Sequence, residues 1–163
     1  KDHKQTEKIP FHYTIIASGT DKENLCFQID DLGISECVSF INGVNYDVVI
    51  EKLQKADILL QPSYSEGIAN TVLEAMAVGT LVVSAEAGGI GEIIDSGKNG
   101  YLFKVRDLSS MVKCLIQAVR LTEEKYESII QTGYDTIDRQ HRLSHQASTM
   151  EKLYCQLIKG IVN

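Results

Sequence analysis

The sequence predicts an α/β fold: a doubly wound parallel sheet of about five to six strands, with helices on both faces and further helices toward the C-terminus. Three observations predict it. Short β-branched and aromatic runs alternate with amphipathic stretches as far as residue 119. The connections between them are short. LVVSAE (residues 81–86) shows no polar alternation, so it should be buried on both faces, as central parallel strands are.

FHYTIIAS (11–18) is a β-branched and aromatic run that stops at Gly19, a strand signal. ENLCFQIDDLGI (23–34) places Leu25, Ile29 and Leu32 on one helical face, with Gly33 as a stop. CVSFI (37–41) reads as a strand and VVIEKLQKA (48–56) as a helix. DILLQPS (57–63) is a strand closed by Pro62. IANTVLEAMAVG (68–79) is a helix that ends at Gly79. After the strand at 81–86, GIGEIIDSG (89–97) is a short helix and GYLFKV (100–105) a strand. DLSSMVKCLIQAV (107–119) is a helix with Asp107 as its cap. Residues 122–138 and 141–160 read as two more helices, with Glu123, Glu124 and Glu127 on an exposed face.

In such sheets ligands bind beyond the carboxyl ends of the strands. The loops to consider are therefore 18–23, 41–46, 62–70 and 86–91. Each contains glycine, which lets a backbone approach a ligand closely.

Bulk properties narrow the function classes. The chain has 163 residues, enough for one domain with a core, and a net charge of −6. That charge argues against nucleic acid or an anionic membrane surface as the main partner. It leaves room for a small anion, because backbone N–H groups bind phosphate without a basic patch. Cys26, Cys37, Cys114 and Cys155 form no CxxC pair and read as small buried thiols of a reducing compartment. No apolar run approaches the roughly 18 residues that span a bilayer. The start of the chain carries no signal-peptide pattern, and residues 1–9 form a polar lead. Ser63, Ser65 and Ser84 lie in no G-x-S-x-G setting. His141 and His145 have the i, i+4 spacing of metal ligands, but no third ligand lies near them in sequence.

The densest signal is SEGIANTVLEAMAVG (65–79), which puts Glu66 and Glu74 eight residues apart. Ser63 or Ser65 can cap the helix that follows. Gly67, Ile68 and Ala69 would present free N–H groups at a helix start, where the dipole favours an anion. Eight helical residues would separate the two acids by about 12 Å. A carboxylate repels phosphate but accepts hydrogen bonds from sugar hydroxyls. The order is then hydroxyl acceptor, phosphate cradle, hydroxyl acceptor, which is that of a nucleoside diphosphate sugar. The plainer reading is a dipole-favoured Glu66 and a solvated Glu74. Against it stand the apolar neighbours Ala75, Met76, Ala77 and Val78, and the second glycine loop, AEAGGIGE, at the end of the next strand.

PSYSEGIANTVLEAMAVGTLVVSAEAGGIGEIIDSGKNGYLF (62–103) resembles the donor-binding, C-terminal domain of a retaining glycosyltransferase of the family-4 type, a group 1 glycosyl transferase with the GT-B fold. That family carries P-S-x-x-E-G-x-x-N-x-x-x-E-A-M-A-x-G, then a buried strand, G-G-x-x-E and N-G-x-L. IIASGTD, VSFINGV and the tail RLSHQASTMEKLY extend the similarity over most of the chain. The resemblance implies a Rossmann-like nucleotide-sugar-binding domain at 10–138, a closing helix at 139–163, and an acceptor-binding N-terminal domain that this chain lacks.

By position, the resemblance gives Glu66 to the donor sugar's hydroxyls, positioning the sugar rather than attacking it. It gives Gly67, Ile68 and Ala69 to the sugar and diphosphate, and Glu74 to the ribose. Asn70, Thr71 and Val72 lie at the helix start beside the phosphates. Gly19 belongs to the early glycine loop, and Gly43 with Val44 to the turn near the base. Glu92 matches the acid of the second glycine loop, with local hydrogen bonding as its role. The departures are Ala17, Ala69, Thr80, Gly91 and an Asn42–Gly43 turn shifted by one residue. The family's diphosphate-binding arginine and lysine, expected before residue 11, have no counterpart here.

The implied partners are a UDP- or GDP-linked sugar donor and, through the missing domain, a saccharide or lipid-linked sugar acceptor. Cell-surface polysaccharide or glycoconjugate synthesis is the implied setting. The implied location is cytoplasmic, peripheral at the inner membrane face. No metal ion or other cofactor is implied. Two alternatives remain: a nucleotide-sugar epimerase of the same architecture, and a non-catalytic α/β module. A receiver-like module would need a phosphorylatable aspartate at a strand end, and Asp57 begins its strand.

Overall fold

The computed structural model describes residues 10–17, 19, 21–65, 67, 69–141 and 143–161. Its elements, in chain order, are β1 (Tyr13–Ile16), α1 (Lys22–Asp31), a 3-10 turn (Ser35–Cys37), β2 (Val38–Ile41), α2 (Tyr46–Lys55), β3 (Ile58–Gln61), α3 (Asn70–Ala77), β4 (Leu81–Ala85), α4 (Ile90–Ile93), β5 (Tyr101–Phe103), α5 (Leu108–Val119), α6 (Glu123–Gln140) and α7 (Leu143–Ile161). The strand–helix alternation is the one the sequence predicts. All strand pairs are parallel.

The chain divides into two units, Lys1–Val49 and Ile50–Asn163. The single sheet expected from sequence is two sheets among the described residues. β1 pairs with β2 in one, and β3-β4-β5 run side by side in the other. With two and three strands among the described residues, each sheet is smaller than the one of five to six strands that was expected.

In the first unit, Tyr13 pairs with Val38 and Ile16 with Ile41. Gly33 takes a φ of +66° and ends α1 as its sequence position implies, with its N–H donating to the Asp30 carbonyl. The apolar face read into residues 23–34 does not become a core. Helix α1 buries nothing, and Leu32 lies beyond the helix, 71% exposed. No described residue of this unit is buried.

The core belongs to the second unit and is built around β4. All five β4 residues are buried. Leu81, Val83 and Ala85 join Phe103 of β5, Ala118 of α5 and Ile129 of α6 in one apolar cluster. Val82 and Ser84 point the other way, because successive strand residues alternate. Each fully buried aliphatic side chain contributes on the order of 1.5–3 kcal/mol. The polar groups caught inside are satisfied. Thr80 Oγ1 donates to the Leu53 carbonyl at 2.7 Å, and Ser84 Oγ to that of Ala85 at 3.1 Å.

The turn before β5 is locked by Asn99, which is 7% exposed. Its Oδ1 accepts from the Asp95 N–H at 2.8 Å. Its Nδ2 donates to the Ile93 carbonyl at 3.0 Å and to Thr136 Oγ1 of α6 at 3.3 Å. Helix α6 comes close enough that a Cβ on Gly133 would lie 3.3 Å from the Asn99 carbonyl oxygen.

The cysteines depart from expectation. All four are free, as read, but none is buried: Cys26 and Cys155 are exposed, Cys37 and Cys114 partly covered. Cys26 lies on α1, which has no buried face to offer it. Among the described residues, no helix is long and apolar enough to cross a membrane.

Two outcomes follow from this distribution of burial. In hydrogen exchange, amides of β1 and β2 should exchange by local opening well before those of β4; equal protection would show that burial does not set local stability here. Asn99→Ala should lower unfolding free energy by about 1–3 kcal/mol in urea titrations, because it orphans the Asp95 N–H and Ile93 carbonyl.

Candidate functional site

The fold turns the motif at 62–79 into a loop and a short helix at the carboxyl end of β3. Helix α3 spans eight residues, Asn70–Ala77, and is shorter than the 68–79 read from sequence. Its N-cap is Ala69, with φ −68° and ψ 109°, and among the described residues no side chain caps it. Neither Ser63 nor Ser65 takes that role. Ser63 Oγ instead accepts from Gln61 Nε2 at 2.9 Å. Val72 N–H donates to the Ala69 carbonyl at 2.9 Å. Among the described residues, the Asn70 and Thr71 N–H groups have no backbone acceptor, as first-turn donors of a helix normally do not. This end of α3 can receive an anion by amide donors and dipole.

Helix α3 is two-faced. Val72, Ala75 and Met76 are buried. Asn70 is exposed, and Thr71 and Glu74 are partly covered. Asn70 and Thr71 stand four and three residues before Glu74, so all three share the helix side away from the core. Ala69 is buried at 8% exposure and Gly67 is exposed. Glu66 and Ile68 lie outside the described residues. Because helix begins only at Asn70, the stretch from Glu66 to Glu74 is not one continuous helix, and the 12 Å helical separation does not apply. The helical part, from Asn70 to Glu74, rises about 6 Å.

The second glycine loop meets the first. Gly89 N–H donates to the Gly67 carbonyl at 2.8 Å, so the loops after β3 and β4 are joined by their backbones. Gly88, with a φ of +55°, supplies the turn that allows it. Glu92 is exposed on α4, and its N–H donates to the Gly89 carbonyl at 3.1 Å.

The other predicted residues belong to the first unit. Gly19 is exposed in the loop after β1. Gly43, with a φ of +58°, and Val44 follow β2. These two loops are also tied together. With its amide oriented to satisfy both partners, Asn42 donates to the Ala17 carbonyl and accepts from Lys22 Nζ, each at 2.9 Å. Lys22 Nζ also lies 5.6 Å from the centre of the Phe40 ring.

The turn after β5 adds a third loop to the second unit's carboxyl edge. Arg106 there stands 5.3 Å over the Tyr64 ring, in the loop that carries Gly67. Sequence reasoning passed over Lys22, Tyr64 and Arg106. Tyr64 fills a variable position of the P-S-x-x-E pattern, and nothing near Arg106 marks it in sequence. His141 is the C-cap of α6, while the side chain of His145 lies outside the described residues. Among the described residues, no cluster of three or more metal-ligating side chains occurs.

A family model described as "Glycosyl transferases group 1" matches residues 1–136. The chain belongs to the group 1 glycosyl transferases. It is 36% identical over 99 residues to a D-inositol 3-phosphate glycosyltransferase of Corynebacterium jeikeium, covering 61% of the chain and 24% of that protein. It is 27% identical over 149 residues to the N-acetyl-alpha-D-glucosaminyl L-malate synthase of Bacillus anthracis, covering 91% of the chain and 38% of that protein. The chain thus spans well under half the length of these relatives. The crystallised C-terminal domain of a group 1 glycosyl transferase (LpcC) from Francisella tularensis superposes with a TM-score of 0.71 at 25% identity, covering 80% of this chain and 70% of that one. The fold also matches Anabaena HepE, solved in complex with UDP, with a TM-score of 0.77 at 22% identity, over 89% of this chain and 41% of that one. The GT-B assignment stands. Membership in this family disfavours the epimerase and the non-catalytic module.

Asp107, directly after Arg106, caps α5. Its carboxylate accepts from the Ser110 N–H at 3.0 Å, and that hydrogen bond holds its pKa below the usual aspartate value. A depressed folded pKa stabilises the fold above the unfolded-state pKa and loses that contribution as pH falls through the folded value. Asp107→Ala should therefore lower the melting temperature at pH 7. The gap to the unmodified chain should close below about pH 4; a gap that stays constant would remove the cap's charge from the explanation.

Proposed function

We propose that the whole protein transfers a sugar from a nucleoside diphosphate donor to an acceptor hydroxyl with retention at the anomeric carbon, and that this chain binds the donor. Polysaccharide or glycoconjugate synthesis is the setting this reading favours. The observation that carries it is the backbone hydrogen bond from Gly89 to Gly67, which joins two glycine loops beside the start of α3. Amide donors and dipole there suit a diphosphate. Glu74, on the same side of α3 as Asn70 and Thr71, suits ribose hydroxyls. Glu66 is assigned to the donor sugar, and Gly67, Ile68 and Ala69 to the sugar–diphosphate segment. By the family resemblance, Gly19 is assigned to the early glycine loop, and Gly43 with Val44 to the turn near the base. HepE, of like fold, was solved with UDP, which favours a uridine nucleotide as the first probe.

In the reaction, the bond from the anomeric carbon to the diphosphate breaks, and the electron pair leaves with the diphosphate. The acceptor oxygen bonds to that carbon and gives up its proton to the departing diphosphate. The charge that develops on the leaving diphosphate is met by the α3 amides, a fixed electrostatic aid that water would have to reorganise to give. Glu66 orients the sugar and forms no covalent bond. No metal ion enters this reading.

Titration of UDP and GDP into isotope-labelled protein tests it. One of them should shift the amides of Gly67 and of residues 69–74, and a chelator should leave those shifts unchanged. Glu74→Gln should weaken binding about tenfold or more, as expected when hydrogen bonds to a charged group are lost. Absence of shifts in this segment with either nucleotide or its sugar conjugates would overturn the assignment.

A further inference from the structure

Arg106 sits where an arginine is costly. Asp107 N–H donates to the Lys104 carbonyl at 3.1 Å, closing a four-residue turn with Arg106 third. Arg106 has a φ of +62°, and among the described residues it is the one non-glycine residue with positive φ. That place in a turn suits glycine or asparagine, because a Cβ there crowds the backbone. The turn itself would be better made with glycine. The reason for arginine must lie in its side chain.

That side chain reaches across the sheet edge. Its guanidinium carbon lies 5.3 Å from the centre of the Tyr64 ring, and the tyrosine is 66% exposed. β5 and β3 are separated by β4, so the loops they feed leave strands about 10 Å apart. The Arg106–Tyr64 stack bridges that gap and ties the turn after β5 to the loop that carries Gly67. Among the described residues, no carboxylate forms an ion pair with Arg106. The stack on Tyr64 is thus the contact that the described residues give the guanidinium, and strained residues of this kind concentrate at ligand clamps.

We propose that Arg106 is a positioning residue of the donor site: by holding Tyr64 it helps to place Gly67, in the same loop, and the start of α3 where a nucleoside diphosphate binds. This rests on the donor-binding reading above. The contact is exposed, so its effect on affinity is modest, about two- to fivefold.

The test pairs UDP affinity with thermal unfolding in the full chain. Arg106→Gly should melt at the same or a higher temperature, since it relieves the turn, yet bind UDP about two- to fivefold more weakly. Tyr64→Ala should weaken binding to the same degree, and Tyr64→Phe should not. The double variant Arg106→Gly/Tyr64→Ala should bind no worse than either single change, because both remove one contact. Additive losses, or UDP affinity unchanged in Arg106→Gly, would overturn the inference alone. Full affinity in Arg106→Lys would assign the effect to charge and overturn the stacking role. No UDP binding by the unmodified chain would overturn the donor-site reading, and this inference with it.

Discussion

Strand β4 has no face that can meet water. Each of its five residues is buried, and it has a neighbour on either edge, β3 and β5. A strand in that position must be covered from both sides, and the rest of the second unit follows from the covering. The cluster on one side draws Phe103, Ala118 and Ile129 from three different elements. Val72, Ala75 and Met76 turn α3 inward, and this is what leaves Asn70, Thr71 and Glu74 on its other side. The candidate site is thus a by-product of packing: the apolar half of α3 is spent on the core, and the polar half is presented at the sheet's carboxyl edge.

The edge itself is held by backbone more than by side chains. Gly67 and Gly89 are joined through main-chain atoms, and among the described residues no side chain caps the α3 start. A serine or aspartate cap would add helix stability; here the buried face of α3, with Val72, Ala75 and Met76, supplies it. The same division appears after β5, where Asp107 caps α5 with its side chain while Arg106 tolerates a strained backbone beside it.

Much of this was legible in the sequence because it is local. The unbroken apolar run of β4, the cap at Asp107 and the glycine stops at Gly33 and Gly79 each depend on a few adjacent residues, and each stands as read. What failed depends on distant partners. Leu25, Ile29 and Leu32 have helical spacing, but spacing does not say whether anything lies opposite, and Leu32 falls past the helix end. The division into two sheets is a matter of strand pairing, which sequence periodicity does not encode. The cysteines were assigned to the interior by residue type, while α1 had no interior to offer. Arg106 was invisible because turn chemistry predicts glycine there, and only the backbone angle shows the exception.

The burial pattern also sets an order of events at the ribosome. Among the described residues, Leu53 is the first buried residue along the chain and Ile129 the last side chain of the core cluster. The first 49 residues therefore emerge before any of the core does. β4 then emerges about 44 residues ahead of Ile129. At ordinary synthesis rates that interval is roughly 2–9 s. During it, β4, buried on both faces in the folded chain, has lost the shelter of the tunnel and not yet gained that of α6. A cell making this chain has to guard it through that window.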